Sequence, residues 1–482
     1  MEKLSGLDSS FYYLDSPGVH FHIGVVLFLE GDGVAVDQRL EITQRQLLER
    51  IGAMDHFRDR IAEVPFGLGE PYWVRDTDFE ISRHVSLNKD SQLRSRSDIV
   101  ARAGQFISEP LDKSGPLWHV EVVPELDDGY FALICKLHHT LIDGVLGIEV
   151  LASLFDLEAN PTRFWGTIPV EVPESRVEFT TVAKAMGSAL ASKLLRAPKD
   201  ALRAMELVSD WLSFAAEDDN SNLLKPAFSA PRTPINGTLS AQRVAVAIDI
   251  ALPRVKAVAK AAGVSVNDVV LTFVSLALDG YLELRGWQDR SDLVAMMPIA
   301  NPRRDSISGS NQISALFVSL ANTIVDPVQR LATISRATKA AKKFHRAVDL
   351  AGLMNLSEYV PPLVTWALSR ALHQTRAFDA LPPVFNILIS SVKGTDFPLY
   401  FAGAKLVEIV PFGPLADSSG LNLTALSYND KMTIGMVGEV RLAENIDKFA
   451  ELVMVGFELL EARFIPSLKS NDGPIEVSDP SE

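Results

Sequence analysis

Two adjacent histidines, His138 and His139, close the apolar run "FALICKLHH", and Asp143 and Gly144 follow four and five residues after the second. Histidine titrates near neutrality, so one such ring in a cleft can serve as a general base. If the run is a strand, successive side chains point to opposite faces. Phe131, Leu133, Cys135, Leu137 and His139 then share one face, and Ala132, Ile134, Lys136 and His138 the other. The two rings therefore have different tasks: one can enter a cleft while its neighbour packs behind the strand. Opposed rings cannot readily share an ion with Asp143, so no metal site is expected here. Asp143, in a tight turn, can bond backbone amides or pair with an arginine such as Arg303 or Arg304, and Gly144 lets the turn pass close to the site.

Other chemistries have no matching residues. There is no G-x-S-x-G elbow, no phosphate loop and no His-Glu-x-x-His helix, and "GLGEPY" lacks the third glycine of a dinucleotide fingerprint. Cys135 sits in the strand interior, where it suits packing better than attack. What remains is a histidine base acting on a substrate that is already activated. A thioester meets that need, because the base has only to take a proton from the incoming alcohol or amine.

The elements that must hold this site read as mixed strands and helices. "HIGVVLFLEG" is an expected strand, and "DQRLEITQRQLLERI" and "SDIVARAGQFISEPL" are expected helices. "LWHVEVVPELDDGYFALICKLHH" gives two strands around the turn "ELDDG", and "VLGIEVLASLFDL", 145–157, reads as a buried helix. Proline- and glycine-rich stretches flank two amphipathic helices between residues 158 and 240. The mixed pattern then restarts with the strand "QRVAVAIDI", a helix stopped by Gly263, and a buried helix with Asn267 and Asp268 in its first turn. "DLVAMMPIA", "FNILISSV" and "LTALSYNDKMTIGMVG" supply later strands, the last with a hairpin turn at Asn429-Asp430. The expected units are 1–175 (carrying the histidines), a helical crossover at 176–240, a second unit at 241–468, and a polar, disordered tail at 469–482.

At 482 residues the chain exceeds one hydrophobic core, which supports two α/β domains. A net charge of −15 argues against general nucleic-acid binding. One cysteine excludes an intramolecular disulfide. The mean hydropathy is +0.13, yet no apolar stretch reaches the roughly 18 to 20 residues of a membrane span. The amino terminus has no signal pattern, so a reducing, cytoplasmic location is expected.

These residues resemble a known family. "HHTLIDG" resembles the HHxxxDG motif of the coenzyme A-dependent acyltransferase superfamily, which includes chloramphenicol acetyltransferases and peptide-synthetase condensation domains. "LSGLDSSFYYLDSPGVHFHIG", the PLW motif at Pro116, Leu117 and Trp118, the ND motif in "VSVNDVVLTFV" and the stretch from Phe397 to Gly438 are similar to bacterial wax ester synthase/diacylglycerol acyltransferases. The resemblance runs from about Leu4 to Phe464. It implies two chloramphenicol-acetyltransferase-like domains with mixed sheets and an active-site tunnel at their interface. It also implies transfer of a long-chain acyl group from acyl-CoA, a co-substrate, to diacylglycerol or a long-chain alcohol, with no cofactor.

In the resemblance His139 is the base, with His138 and Asp143 in support. Asn267 and Asp268 either cap their helix or donate to a developing oxyanion, and Trp118 is a structural anchor. Where the family commonly reads Ser-Asn-Val-Pro-Gly-Pro, this chain has "SSVKGT", Ser390 to Thr395, and "SGSNQIS" carries an extra serine before Asn311; both bear on the acceptor side. The alternatives are a condensation-type enzyme using carrier-protein thioesters and a weakly active lipid-binding homologue. Substrates this apolar imply a peripheral place on the inner face of the membrane or on lipid droplets. The expected contact is the segment bearing Lys184, Lys193, Arg196, Lys199 and Arg203.

Overall fold

The computed structural model describes residues 2–64 except 53 and 55, 69–141, 153–160, 229–300, 313–347 and 362–465. The first half runs β1 (Glu2–Lys3), α1 (Gly6–Leu14), β2 (His22–Glu30), α2 (Val36–Ile51), β3 (Asp59–Ala62), β4 (Tyr72–Arg75), β5 (Val85–Leu87), α3 (Arg96–Ser108), β6 (Trp118–Val123) and β7 (Tyr130–His138). The second runs β8 (Arg243–Ala251), α4 (Leu252–Ala262), α5 (Val266–Leu284), β9 (Val294–Ala300), β10 (Ile313–Ser319), α6 (Pro327–Ala347) and α7 (Pro362–Gln374). It ends with β11 (Ile387–Lys393), β12 (Tyr400–Phe401), β13 (Ala404–Phe412), β14 (Leu421–Tyr428), β15 (Lys431–Glu439) and α8 (Ile446–Phe464).

Local sequence explains the element ends. Ser95 and Asp98 form a reciprocal capping box at the start of α3, and Ser265 and Asp268 do the same for α5. Gly263 stops α4 in the left-handed region at φ 67°, where a side chain would be strained. Asn429 takes φ 50° in the turn between β14 and β15, as the hairpin reading expects.

Two six-stranded sheets result. One has the order β10-β9-β11-β14-β15-β8, the other β12-β13-β2-β7-β6-β5; β1, β4 and β3 form a small third sheet. In the first of these, β11 lies parallel to both β9 and β14, so both of its neighbours require crossovers. Helices α4, α5, α6 and α8 supply the core beside this sheet, where Phe273 and Phe457 are fully buried with ring centroids 6.0 Å apart. Burying each ring contributes about 2–3 kcal/mol. The second sheet holds the expected histidine strand: β7 pairs antiparallel with β2 from His22↔His138 to Glu30↔Tyr130, and with β6 from Trp118↔Leu137.

Strand β13 departs from the expected division at residue 241. It belongs to the second half by sequence but pairs antiparallel with β2, from Phe412↔Gly24 to Leu406↔Leu29 across a bulge. The first half's α3 packs in return against β8, so closely that a Cβ on Gly104 would lie 3.0 Å from Ala245. Arg96 at the start of α3 bonds Glu408 of β13 and Asp249 of β8, tying both sheets through one guanidinium. The halves interlock rather than merely touch.

Among the described residues no single helix is long and apolar enough to cross a membrane. Helices α4 and α5 are long and apolar enough only together, bent by 99°, and α5 is a core helix. The segment 161–228, where amphipathic helices and their basic residues were expected, the expected helix at 145–157 up to residue 152, and the tail beyond 465 lie outside the described residues.

Candidate active site

Strand β7 places its residues as the alternation requires. Phe131, Leu133 and Leu137 join the core facing α2, while Ala132 and Ile134 pack with the α3 side. The strand ends at His138, and His139 opens the turn that follows. The His139 backbone N–H donates to Phe21 O at 2.7 Å, and its ring lies 4.6 Å from the Phe11 ring. His139 lines a cavity of about 990 Å³; His138 does not. The His138 ring is instead 1% exposed, and its Nδ1 accepts the Thr140 N–H at 3.2 Å. Burial, the largest influence, lowers its pKa to about 3, so the ring is neutral.

The PLW stretch braces this strand end. Leu117 O accepts the His138 N–H at 3.0 Å, and the Trp118 indole N–H donates to Phe57 O at 2.8 Å. Trp118 also stacks on His84 with centroids 4.8 Å apart and borders the cavity with one edge. Pro116 is buried beside them. Cys135, on the cavity face, has its thiol pushed up to about 12 by burial, which leaves almost no thiolate for attack.

The Asn267-Asp268 pair separates into two roles. Asp268 caps the helix as the sequence allowed, in a reciprocal box with Ser265, which holds the N-cap position itself. Asp268 sits three residues on and accepts from the Ser265 N–H at 3.0 Å, Thr338 Oγ1 at 2.6 Å and Ser335 Oγ at 3.1 Å. Its lone pairs are spent on joining α5 to α6. Asn267, one residue earlier, borders the cavity.

Both halves line that cavity. Leu27, Leu133 and Cys135 form its first-half wall, and Met296, Pro298 and Ile389 face them from the second. Ser390, Ser391, Val392 and Lys393 also border it, so the stretch that departs from the family pattern meets whatever occupies the space. Asp143, Gly144, Arg303, Arg304 and Asn311 lie outside the described residues, and with them the expected pairing of Asp143. Among the described residues no group of three or more His, Cys, Asp or Glu is placed to hold a metal ion.

Several residues at the site carry no signal in their own sequence neighbourhood. Phe11 of α1 packs on the His139 ring, and Phe21 in the loop that follows packs on Phe11 with ring centroids 5.4 Å apart. Lys136, 3% exposed, donates to Phe106 O and Glu109 O at 2.8 Å each, and burial lowers its pKa to about 8. Its one visible signal is a lysine inside the run "FALICKLHH", and satisfying the last carbonyls of α3 accounts for it.

Residues 4–270 match the wax ester synthase/diacylglycerol acyltransferase catalytic domain, and residues 309–461 match the WS/DGAT C-terminal domain. The chain belongs to the wax ester synthase/diacylglycerol acyltransferase family. A putative diacylglycerol O-acyltransferase of Mycobacterium tuberculosis is 30% identical over 477 residues, covering 97% of this chain and all of the relative. A probable diacylglycerol O-acyltransferase of the same organism is 29% identical, covering 91% and 94%. The wax ester synthase/diacylglycerol acyltransferase from Marinobacter aquaeolei VT8 shares the fold with a TM-score of 0.68 at 24% identity, covering 96% of this chain and 100% of that one. A condensation domain of the calcium-dependent antibiotic synthetase follows the same fold at a TM-score of 0.60 and 15% identity, covering 96% of each. His139, Trp118 and Asn267 are the residues of these motifs that the fold brings to one cavity.

Proposed function

We propose that the protein transfers a long-chain acyl group from acyl-CoA to the hydroxyl of diacylglycerol, giving triacylglycerol and CoA, and to long-chain alcohols as a sibling activity. The observation that carries this is His139 on the wall of a large, mostly apolar cavity whose thiol, Cys135, is held protonated. From Leu133 on β7 to His139 just past its end the cavity wall spans six residue steps, about 20 Å at strand spacing, which suits a long apolar tail. Family membership and the relatives' names support the same chemistry.

His139 takes the proton of the acceptor hydroxyl as its oxygen attacks the thioester carbonyl. The tetrahedral intermediate then collapses, the C–S bond breaks, and the departing CoA sulfur takes the proton back from the imidazolium. Asp268 takes no part, since its oxygens are engaged by Ser265, Ser335 and Thr338; Asn267 is the member of that pair placed to touch substrate. No cofactor enters this chemistry. The enzyme works peripherally at a cytoplasmic membrane face or lipid droplet, because both lipid substrates partition there.

The test is purified protein with long-chain acyl-CoA, offered diacylglycerol or hexadecanol in separate reactions, with CoA and lipid products measured. CoA release with triacylglycerol formation is the expected result. Lipid binding without CoA release would support the weakly active lipid-binding alternative, and transfer only from carrier-protein thioesters the condensation-type one.

A further inference from the structure

We propose that Asp15 is a positioning residue for the histidine pair: its carboxylate holds His138 in the Nε2–H tautomer, and that tautomer keeps closed the turn that presents His139. The inference rests on His139 being the base.

The argument starts at His138 Nδ1. It accepts the Thr140 backbone N–H at 3.2 Å, so in the neutral ring the proton sits on Nε2. That nitrogen is fully buried and has no hydrogen-bond partner among the described residues. The acceptor it faces is Asp15 Oδ2, 4.0 Å away, and a shift of about 1 Å brings the two to hydrogen-bond length. Asp15 is itself 9% exposed and ionised. Burial works against its charge, but His20 Nδ1 on Oδ1 at 2.9 Å and Lys113 Nζ on Oδ2 at 2.9 Å outweigh it, and the pKa falls to about 2.

The alternative tautomer shows why this matters. A proton on Nδ1 would point at the Thr140 N–H, setting donor against donor. The turn from His138 to Leu141, closed also by Leu141 N–H to His138 O at 2.9 Å, would lose its side-chain bond. His139 is the second residue of that turn. A fixed anion opposite Nε2 selects against this state, much as a carboxylate behind a catalytic imidazole sets its tautomer.

Asp15 is placed by both halves of the molecule. It caps the end of α1, the helix whose Phe11 packs on the His139 ring and whose Asp8 O accepts from Thr140 Oγ1 at 3.3 Å. The loop after it folds back through paired Ser16 and Val19 backbone bonds. Arg243 of β8 donates to Gly18 O at 2.6 Å, and a Cβ on Gly18 would lie 2.2 Å from the His373 ring of α7. The second half thus pins the loop that carries the carboxylate.

The experiment uses full-length 15N-labelled protein. Long-range 1H–15N spectra should show His138 as the Nε2–H tautomer, assigned by the signal lost in His138→Asn. Asp15→Asn should give mixed tautomers and lower kcat about 10- to 100-fold with KM for acyl-CoA unchanged. In the His138→Asn background the amide oxygen can accept the Thr140 N–H whatever Asp15 does, so adding Asp15→Asn should cost little more. Wild-type protein in the Nδ1–H form, or an equal loss from Asp15→Asn in both backgrounds, would overturn the proposal. The spectra need no substrate, so failure of the acyl-transfer reading would show separately, as absent CoA release.

Discussion

Two regions of the molecule fill their interiors differently. Around α5 and α8 the second half buries close-packed apolar side chains, with Gly456 letting the helices approach until a Cβ there would lie 2.6 Å from Phe273 O. Behind the histidine strand, the first half buries His22, Lys136 and His138 around α1, α3 and the loop at Asp15. Each of these groups needs a partner to offset its desolvation, and each partner fixes a direction. The apolar interior supplies stability; the polar one supplies orientation. Substitutions in the two places should therefore fail differently.

The largest effect separates chemistry from folding. His139→Ala should lower acyl transfer by about 10²- to 10⁴-fold while thermal unfolding shifts by little, because the ring lies at a cavity wall. CoA release and a melting curve on the same preparation check this; a variant inactive only because it is unfolded would erase the contrast. Next comes the opposite case. Phe457→Ala should cost about 3–5 kcal/mol of stability in denaturant titration and leave kcat per folded molecule near wild type.

The smallest effect tests the polar interior by pH. The folded state holds His138 at about 3, below its ordinary 6.5, so between those values the unfolded chain binds a proton that the folded chain refuses. Stability contributed by the neutral ring is thus present above pH 6.5 and lost as pH falls through this window. Asp15, lowered to about 2, loses its contribution as pH falls from its ordinary 3.8 through 2. Urea titrations from pH 7 to 4 should show a flatter decline for His138→Asn than for wild type, flattened rather than level because burial also pushes His22 well down. Parallel curves would remove His138 from the set of acid-sensitive groups.

Much of this was legible from local pattern. The alternation of "FALICKLHH" assigned the faces of β7, Gly263 stopped α4, and the loop at Asn429-Asp430 closed its hairpin, because each depends on residues a few positions apart. What was hidden depends on distant partners. Nothing near "AKLVEIVPF" says that it pairs with β2 rather than with β14, since an apolar strand fits either sheet. Asp15 lay in view, but its meaning comes from Lys113 and His138, 98 and 123 positions later. The helix cap was half legible: Asp268 was in view, and its partner Ser265 was recoverable from the S-x-x-D spacing.

Strand β13 has a consequence for how the molecule comes into being. The edge of β2 that it covers waits for residues 406–412, nearly 380 positions downstream of its partners. During synthesis, at about 5–20 residues per second, that edge stays open for tens of seconds. A nascent chain released near residue 240 would carry the histidine strand in an unfinished sheet with a bare, apolar border, prone to pairing with a neighbour. Completion of the acyltransferase is in this sense a late event on the ribosome, and the histidine strand gains its full sheet only after almost the whole chain has emerged.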